Sequence, residues 1–230
     1  MTATHDMPVR RFTALAGCAT VVLYILSAML SYDAPEIDAP PPDILKYAAA
    51  SGGRLLIVVF VWGGITSAAL CFLTGLWSVV RRRDEQDGMD EVLAILGLGA
   101  GYVLFAIAQA GFVFILALGY RGTILDATQA KLMNDLIYLG ITLSGFPTAV
   151  STAAFAIMVR RTRAVAVWTS WIAAVAVIAH VVSAGSFAQD GMLAPTGVPI
   201  YIAPTFYFIW MLTVSILLFR RAPDRVAPAS

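Results

Sequence analysis

The sequence predicts an all-α fold: a polytopic membrane protein whose six transmembrane helices form one bundle, with a short surface helix in the first outer loop. Three observations carry this expectation. The 230-residue chain is 60% hydrophobic and only 13% charged, whereas soluble domains are about half apolar and about a quarter charged. The charges sit between long uncharged runs, the pattern of membrane spans and not of a globular core. The basic residues also alternate between rich and poor connections along the chain.

The uncharged runs are residues 12–32, 55–80, 92–119, 136–159, 164–189 and 191–219. Each exceeds or matches the roughly 20 helical residues that cross a bilayer core of about 30 Å. The first follows Arg10 and Arg11 and is longer than the 7–15 apolar residues usual in a signal peptide, so it reads as an uncleaved span. Leu15-Ala16-Gly17-Cys18 looks like a lipoprotein cleavage box. Too few residues separate Arg11 from Cys18 to form the apolar stretch such a box requires, which makes it a chance match.

In the first outer loop, Pro40-Pro41-Pro42 leads to Asp43, a residue suited to cap a helix N-terminus. A short helix is expected over residues 44–50, stopped by Gly52-Gly53. Span three carries Gly97-x-Gly99-x-Gly101, small residues that let another backbone approach, here for internal packing in preference to dimerisation. Residues 126–131 extend span four outward by one or two turns. Pro147, near the middle of span four, removes one helix hydrogen bond and frees the Leu143 carbonyl, which makes it the candidate hinge. Between spans five and six the separation rests on Gly185, Gly191, Pro195, Gly197 and Pro199. Span six then begins near Ile200, with Pro204 in its first turns. Residues 1–221 form a single domain, and 222–230, with Pro223 and Pro228, a disordered tail.

Orientation follows from the arginines. One set of connections holds Arg10, Arg11, Arg81, Arg82, Arg83, Arg160, Arg161, Arg163, Arg220, Arg221 and Arg225; the other holds only Lys46, Arg54, Arg121 and Lys131. The positive-inside rule places the richer set, and both termini, in the cytoplasm. Trp77, Trp168 and Trp171 towards the inner side, and Tyr32, Tyr120, Tyr138 and Tyr201 towards the outer, fit interfacial belts. The preponderance of Arg over Lys, together with abundant Ala and Val, points to a bacterial inner (cytoplasmic) membrane protein encoded by a GC-rich genome.

Polar side chains are costly in hydrocarbon and turn into the bundle, so they are the candidate functional groups. Gln109 and His180 each lie four to six positions past the midpoint of their spans, or roughly 6–9 Å at 1.5 Å per residue. Both are expected at one depth in the outer leaflet, facing a common outward-opening polar pocket with Asn134 and Asp135 at its mouth. The bland alternative is that each bonds a neighbouring helix, a contact worth about 0.6 kcal/mol. The one other histidine, His5, is in the cytoplasmic tail, which excludes a two-histidine haem within the membrane and a three-histidine zinc site. No HExxH, GxSxG or GxxxxGK[ST] occurs. No cofactor or metal is therefore expected. Cys18 and Cys71 fall inside spans, which argues against a disulfide framework. No basic face interleaved with aromatics exists to bind nucleic acid. The expected partners are the lipid bilayer and either a membrane protein or a second copy of this chain. The inner arginines at 81–83 and 160–163 are accounted for by topology, anionic head groups being the other use for them.

Arg11 with Leu15-Ala16-Gly17 and Tyr24, then Asp135, Ser144-Gly145-Phe146-Pro147, Arg160-Arg161-Thr162-Arg163 and Trp168 resemble bacterial multi-span membrane proteins of a domain-of-unknown-function family. The resemblance covers most of the chain and implies no catalytic residues. The functional expectation is a non-enzymatic accessory or sensor-type membrane component with an outward-facing polar pocket. A small-solute transporter or channel, and an intramembrane enzyme acting on a lipid or isoprenoid, are the alternatives.

Overall fold

The computed structural model describes residues 3–81, 88–188, 194 and 197–220, and among these the regular structure is helical throughout. Six helices follow in order: α1 (Ala3–Leu30), α2 (Pro41–Arg81), α3 (Gly88–Arg121), α4 (Ala127–Thr162), α5 (Thr169–Ala184) and α6 (Val198–Arg220). All except α5 are long and apolar enough to cross a membrane. Helices answer the apolar composition directly, since hydrocarbon offers nothing to bond a free N–H or C=O. The chain is a multi-pass helical bundle.

Consecutive helices pack against one another, α1 closes the ring against α6, and α2 touches α4 across the middle. Small residues set the closest approaches. A Cβ on Gly75 would lie 2.1 Å from Thr13 Oγ1, and one on Gly17 would lie 2.1 Å from Ser215 Oγ. Gly97 faces Phe155 and Ala154, Gly101 faces Leu73, and Ser151 Oγ donates to the Gly97 carbonyl at 2.7 Å. The GxxxG pattern of α3 is thus used within the bundle, by Gly97 and Gly101.

The described residues hold two apolar cores. The larger one gathers Phe72, Leu76, Phe155, Met158, Trp210 and Met211 towards the arginine-rich end. The smaller gathers Ile44, Ala48, Leu55, Leu118 and Ala130 towards the end that carries the α1–α2 loop. At the arginine-rich end Arg161 Nε meets Asp90 Oδ1 at 2.6 Å, joining the start of α3 to the end of α4. Arg81 lies over the Trp77 ring and Arg160 over Trp171. Both cysteines are free and half-buried.

Three expectations change. The surface helix over residues 44–50 is not separate: α2 is one helix of 41 residues, about 60 Å long. Gly52 does not stop it but packs closely against α3; a Cβ there would lie 2.7 Å from the Gly119 carbonyl oxygen. Close packing offsets the roughly 1 kcal/mol that a mid-helix glycine costs. The fifth span is shorter than residues 164–189. Ala164 and Val165 are buried as connecting chain, and α5 runs for 16 residues, about 24 Å, before Gly185 ends it. Tyr138 is no interfacial anchor, since it turns inward and donates to the Pro35 carbonyl. The outward extension of span four is present: Asp126 caps α4, its carboxylate accepting from the Gln129 amide at 2.8 Å, and Gln129 answers the Asp126 amide. Span six starts at Val198 with Pro204 inside it. The tail at 222–230, together with Arg82, Arg83, Asp190 and Gly191, lies outside the described residues.

Candidate functional site: an aromatic cavity between two cores

Between the two cores lies a partly enclosed cavity of about 390 Å³, with residues from all six helices in its wall. Ile44, Leu55 and Leu118 of the smaller core form one boundary, and Ala69, Leu104, Phe105 and Tyr207 of the larger core the other. Its volume falls in the range of small-molecule sites, roughly 300–1,000 Å³. Two glycines help to open it. Gly111 of α3 and Gly140 of α4 both line it; a Cβ on Gly140 would meet nothing nearer than the Gly111 Cα at 4.0 Å, and one on Gly111 would meet nothing.

Aromatic rings form a chain around much of this wall. Phe112 lies 4.5 Å from Trp62 between centroids, Trp62 is edge-on to Tyr24 at 6.2 Å, and Tyr24 stacks on Phe208 at 3.9 Å. Phe208 meets Tyr207 at 5.5 Å, and Tyr207 meets the His180 ring at 5.9 Å. The chain passes through α3, α2, α1, α6 and α5 in turn. Such ring pairs contribute about 0.5–1.5 kcal/mol each beyond the area they bury.

His180 is 7% exposed and is one of the residues that line the cavity. Its Nδ1 lies 2.8 Å from the Ala176 carbonyl one turn earlier. A carbonyl only accepts, so Nδ1 carries the hydrogen, and the neutral ring keeps Nε2 as an acceptor. The close fit of α5 on α4 at this level comes from Gly145, whose Cβ position is 2.7 Å from the His180 carbonyl oxygen.

A clasp holds the α1–α2 loop to one flank of this site. Lys131 Nζ, Asn134 Nδ2 and Tyr138 OH, spaced to share one face of α4, donate to the consecutive carbonyls of Ile37, Glu36 and Pro35. Ala34, Pro35, Asn134 and Tyr138 are themselves part of the cavity wall. Arg54 adds a second tie to the loop through Asp33 at 2.8 Å.

The structure therefore divides the residues singled out from the sequence. His180 and Asn134 belong to the cavity. Gln109 does not: it sits on an exposed face of α3 and its Nε2 bonds Thr66 Oγ1 of α2 at 2.7 Å. The shared Gln109–His180 pocket is thereby corrected. Equal depth along two helices places residues at one level and leaves their directions open, and Gln109 points the other way. Asp135 pairs with Lys131 at 2.8 Å, one turn away on the same helix, and is only half-buried. Pro147 lies inside an uninterrupted α4.

Comparison with family models, with curated proteins and with solved structures returns no match.

The pocket is also not polar, as its wall is almost wholly apolar and aromatic. Among the described residues that line it there is no carboxylate, ammonium or guanidinium, and no group of three or more His, Cys, Asp and Glu is placed to hold a metal. Sequence reasoning missed Tyr24, Trp62, Phe112, Tyr207 and Phe208. The one available signal was that each aromatic falls within an uncharged run, and that signal does not separate a cavity wall from a lipid-facing belt.

Proposed function

We propose that this protein is a non-enzymatic membrane component, of accessory or sensor type, that holds a small lipophilic molecule in the cavity between its two cores. One observation carries the reading: an apolar, aromatic space of about 390 Å³ with walls from every helix of the bundle. A cavity of this kind loses dispersion contacts along its lining when empty, and an occupant restores them. The absence of carboxylates and cations from the described lining favours binding over acid–base chemistry. The arrangement of arginines supports an orientation with the Asp90–Arg161 end in the cytoplasm of a bacterium and the α1–α2 loop outside.

The test is purification in a mild detergent, followed by organic extraction and mass spectrometry against a Gly140→Leu control, in which the added side chain occupies the space. A near-stoichiometric lipophilic molecule recovered from the wild type and lost from the variant is the expected result. Equal recovery from both overturns the reading. Orientation is read from reporter fusions ending at Asp87 and at Gly191; alkaline phosphatase activity is expected only from the second, and activity at Asp87 reverses the topology.

A further inference from the structure

We infer that the cavity selects a neutral, ring-containing lipophile bearing a hydroxyl group, which donates its hydrogen to His180 Nε2. The inference rests on the reading of the cavity as a binding pocket and adds the chemical class of the occupant. The hydrogen-bonding state of His180, whose Nδ1 is committed to the Ala176 carbonyl, carries it. Six polar side chains in the lining have already committed donors to backbone carbonyls: Thr20 to Ala16 at 2.8 Å, Asn134 to Glu36 at 3.0 Å, Tyr138 to Pro35 at 3.2 Å, Ser144 to Ile141 at 2.6 Å, Thr148 to Ser144 at 2.6 Å, and His180 Nδ1 to Ala176 at 2.8 Å. Apart from the second N–H of Asn134, these six groups offer the cavity lone pairs; Tyr24, Ser27, Ser31, Trp62 and Tyr201 of the same wall carry hydrogens of their own. The Tyr207 hydroxyl is fully buried without a partner, closed off from the space that its ring borders.

His180 is the strongest of these acceptors. An imidazole nitrogen with a lone pair in the ring plane is a better acceptor than a hydroxyl already donating elsewhere. More than nine-tenths of the residue is buried, and Nε2 has no partner among the described residues. An acceptor that an occupant covers without pairing costs about 1–3 kcal/mol. An occupant with a hydroxyl removes that cost, whereas a hydrocarbon or an ether leaves it in place. A charged occupant is disfavoured, because the lining has no counter-charge to offset the loss of its hydration. The aromatic chain from Phe112 to Tyr207 favours a flat ring system over a saturated chain, since it offers faces for stacking and edges for T-shaped contact.

The experiment uses the full chain in nanodiscs with three probes of matched shape: pyrene, methoxypyrene and hydroxypyrene. Binding is read as saturable energy transfer from tryptophan, with empty nanodiscs as the baseline. Hydroxypyrene is expected to bind about tenfold more tightly than methoxypyrene. In His180→Leu the ratio falls towards one, while His180→Gln, which keeps an acceptor, preserves part of it. The isotope-labelled His180 Nε2 resonance of the wild type is expected to shift with hydroxypyrene and to stay in place with methoxypyrene, a readout needing no variant to fold. If hydroxyl and methoxy probes bind saturably with equal affinity, or the Nε2 resonance does not respond, this inference is overturned and the binding pocket stands. If no probe binds saturably, the pocket reading falls with it.

Discussion

Gly145 of α4 lies so close to His180 of α5 that a Cβ on the glycine would sit 2.7 Å from the histidine's backbone oxygen and 2.9 Å from the Ala184 Cβ. That contact fixes how far the imidazole stands from the rest of the wall. Gly145→Ala is expected to push α5 away and destabilise the bundle by about 1–3 kcal/mol, the usual cost of overpacking. Gly99→Ala, at a site with nothing within 4 Å of the added carbon, should be neutral or slightly stabilising. Unfolding titrations of both variants in mixed micelles decide it, and equal stabilities would remove Gly145 from its role.

Gly111 and Gly140 make the opposite case, because the space beside them is open. Gly140→Leu should fill part of the cavity, reduce probe uptake by more than about tenfold and leave the melting temperature unchanged or raised, since the glycine costs about 1 kcal/mol in a helix interior. Loss of fold would instead show that the site is tightly packed.

The clasp on the loop should depend on Asn134 more than on its neighbour. Asn134 is buried and bonds the Glu36 carbonyl, so Asn134→Ala should cost about 1 kcal/mol and speed amide hydrogen exchange across residues 31–40 several-fold. Asp135→Ala breaks only a half-exposed pair with Lys131 and should change stability by less than about 0.5 kcal/mol. A reversed order would move the anchor to the ion pair.

Gln109→Leu tests the division of the polar residues. Its bond to Thr66 should be worth about 0.6 kcal/mol, and probe affinity should not change. A large loss of binding would put Gln109 back at the site.

Arg161→Ala removes the 2.6 Å contact of Arg161 Nε with Asp90, whose side chain is 7% exposed, though Arg161 itself is 41% exposed. A cost of about 1–2 kcal/mol is expected, below that of a fully buried pair, with Asp90→Asn milder. Denaturation of the two variants at low and high salt measures this, and equal effects would assign the stabilisation to packing.

The six helices were legible because apolar runs and charge positions act locally, and each helix here answers its own run. The boundaries that failed were set by contacts distant in sequence. Gly52 looks like a stop until Gly119 is placed against it, and residues 164–168 look like helix until Ala164 and Val165 are seen buried as connecting chain. The site was half legible for a related reason. His180 and Asn134 stand out by polarity, but the cavity wall is made of aromatics and glycines that composition cannot distinguish from membrane-facing or packing residues. The direction of Gln109 depends on the rotation of α3, which a uniformly apolar helix surface does not encode.

The smaller core draws on α2, α3, α4 and the connections before α2 and α4; α1, α5 and α6 contribute nothing to it among the described residues. The void is therefore bordered by three long helices that share both cores and three shorter ones that share only the larger. An occupant slightly too large is therefore expected to displace α1, α5 and α6 before the helices that share both cores. Filling the space would then change the cross-section that the bundle presents to the surrounding lipid, along one flank.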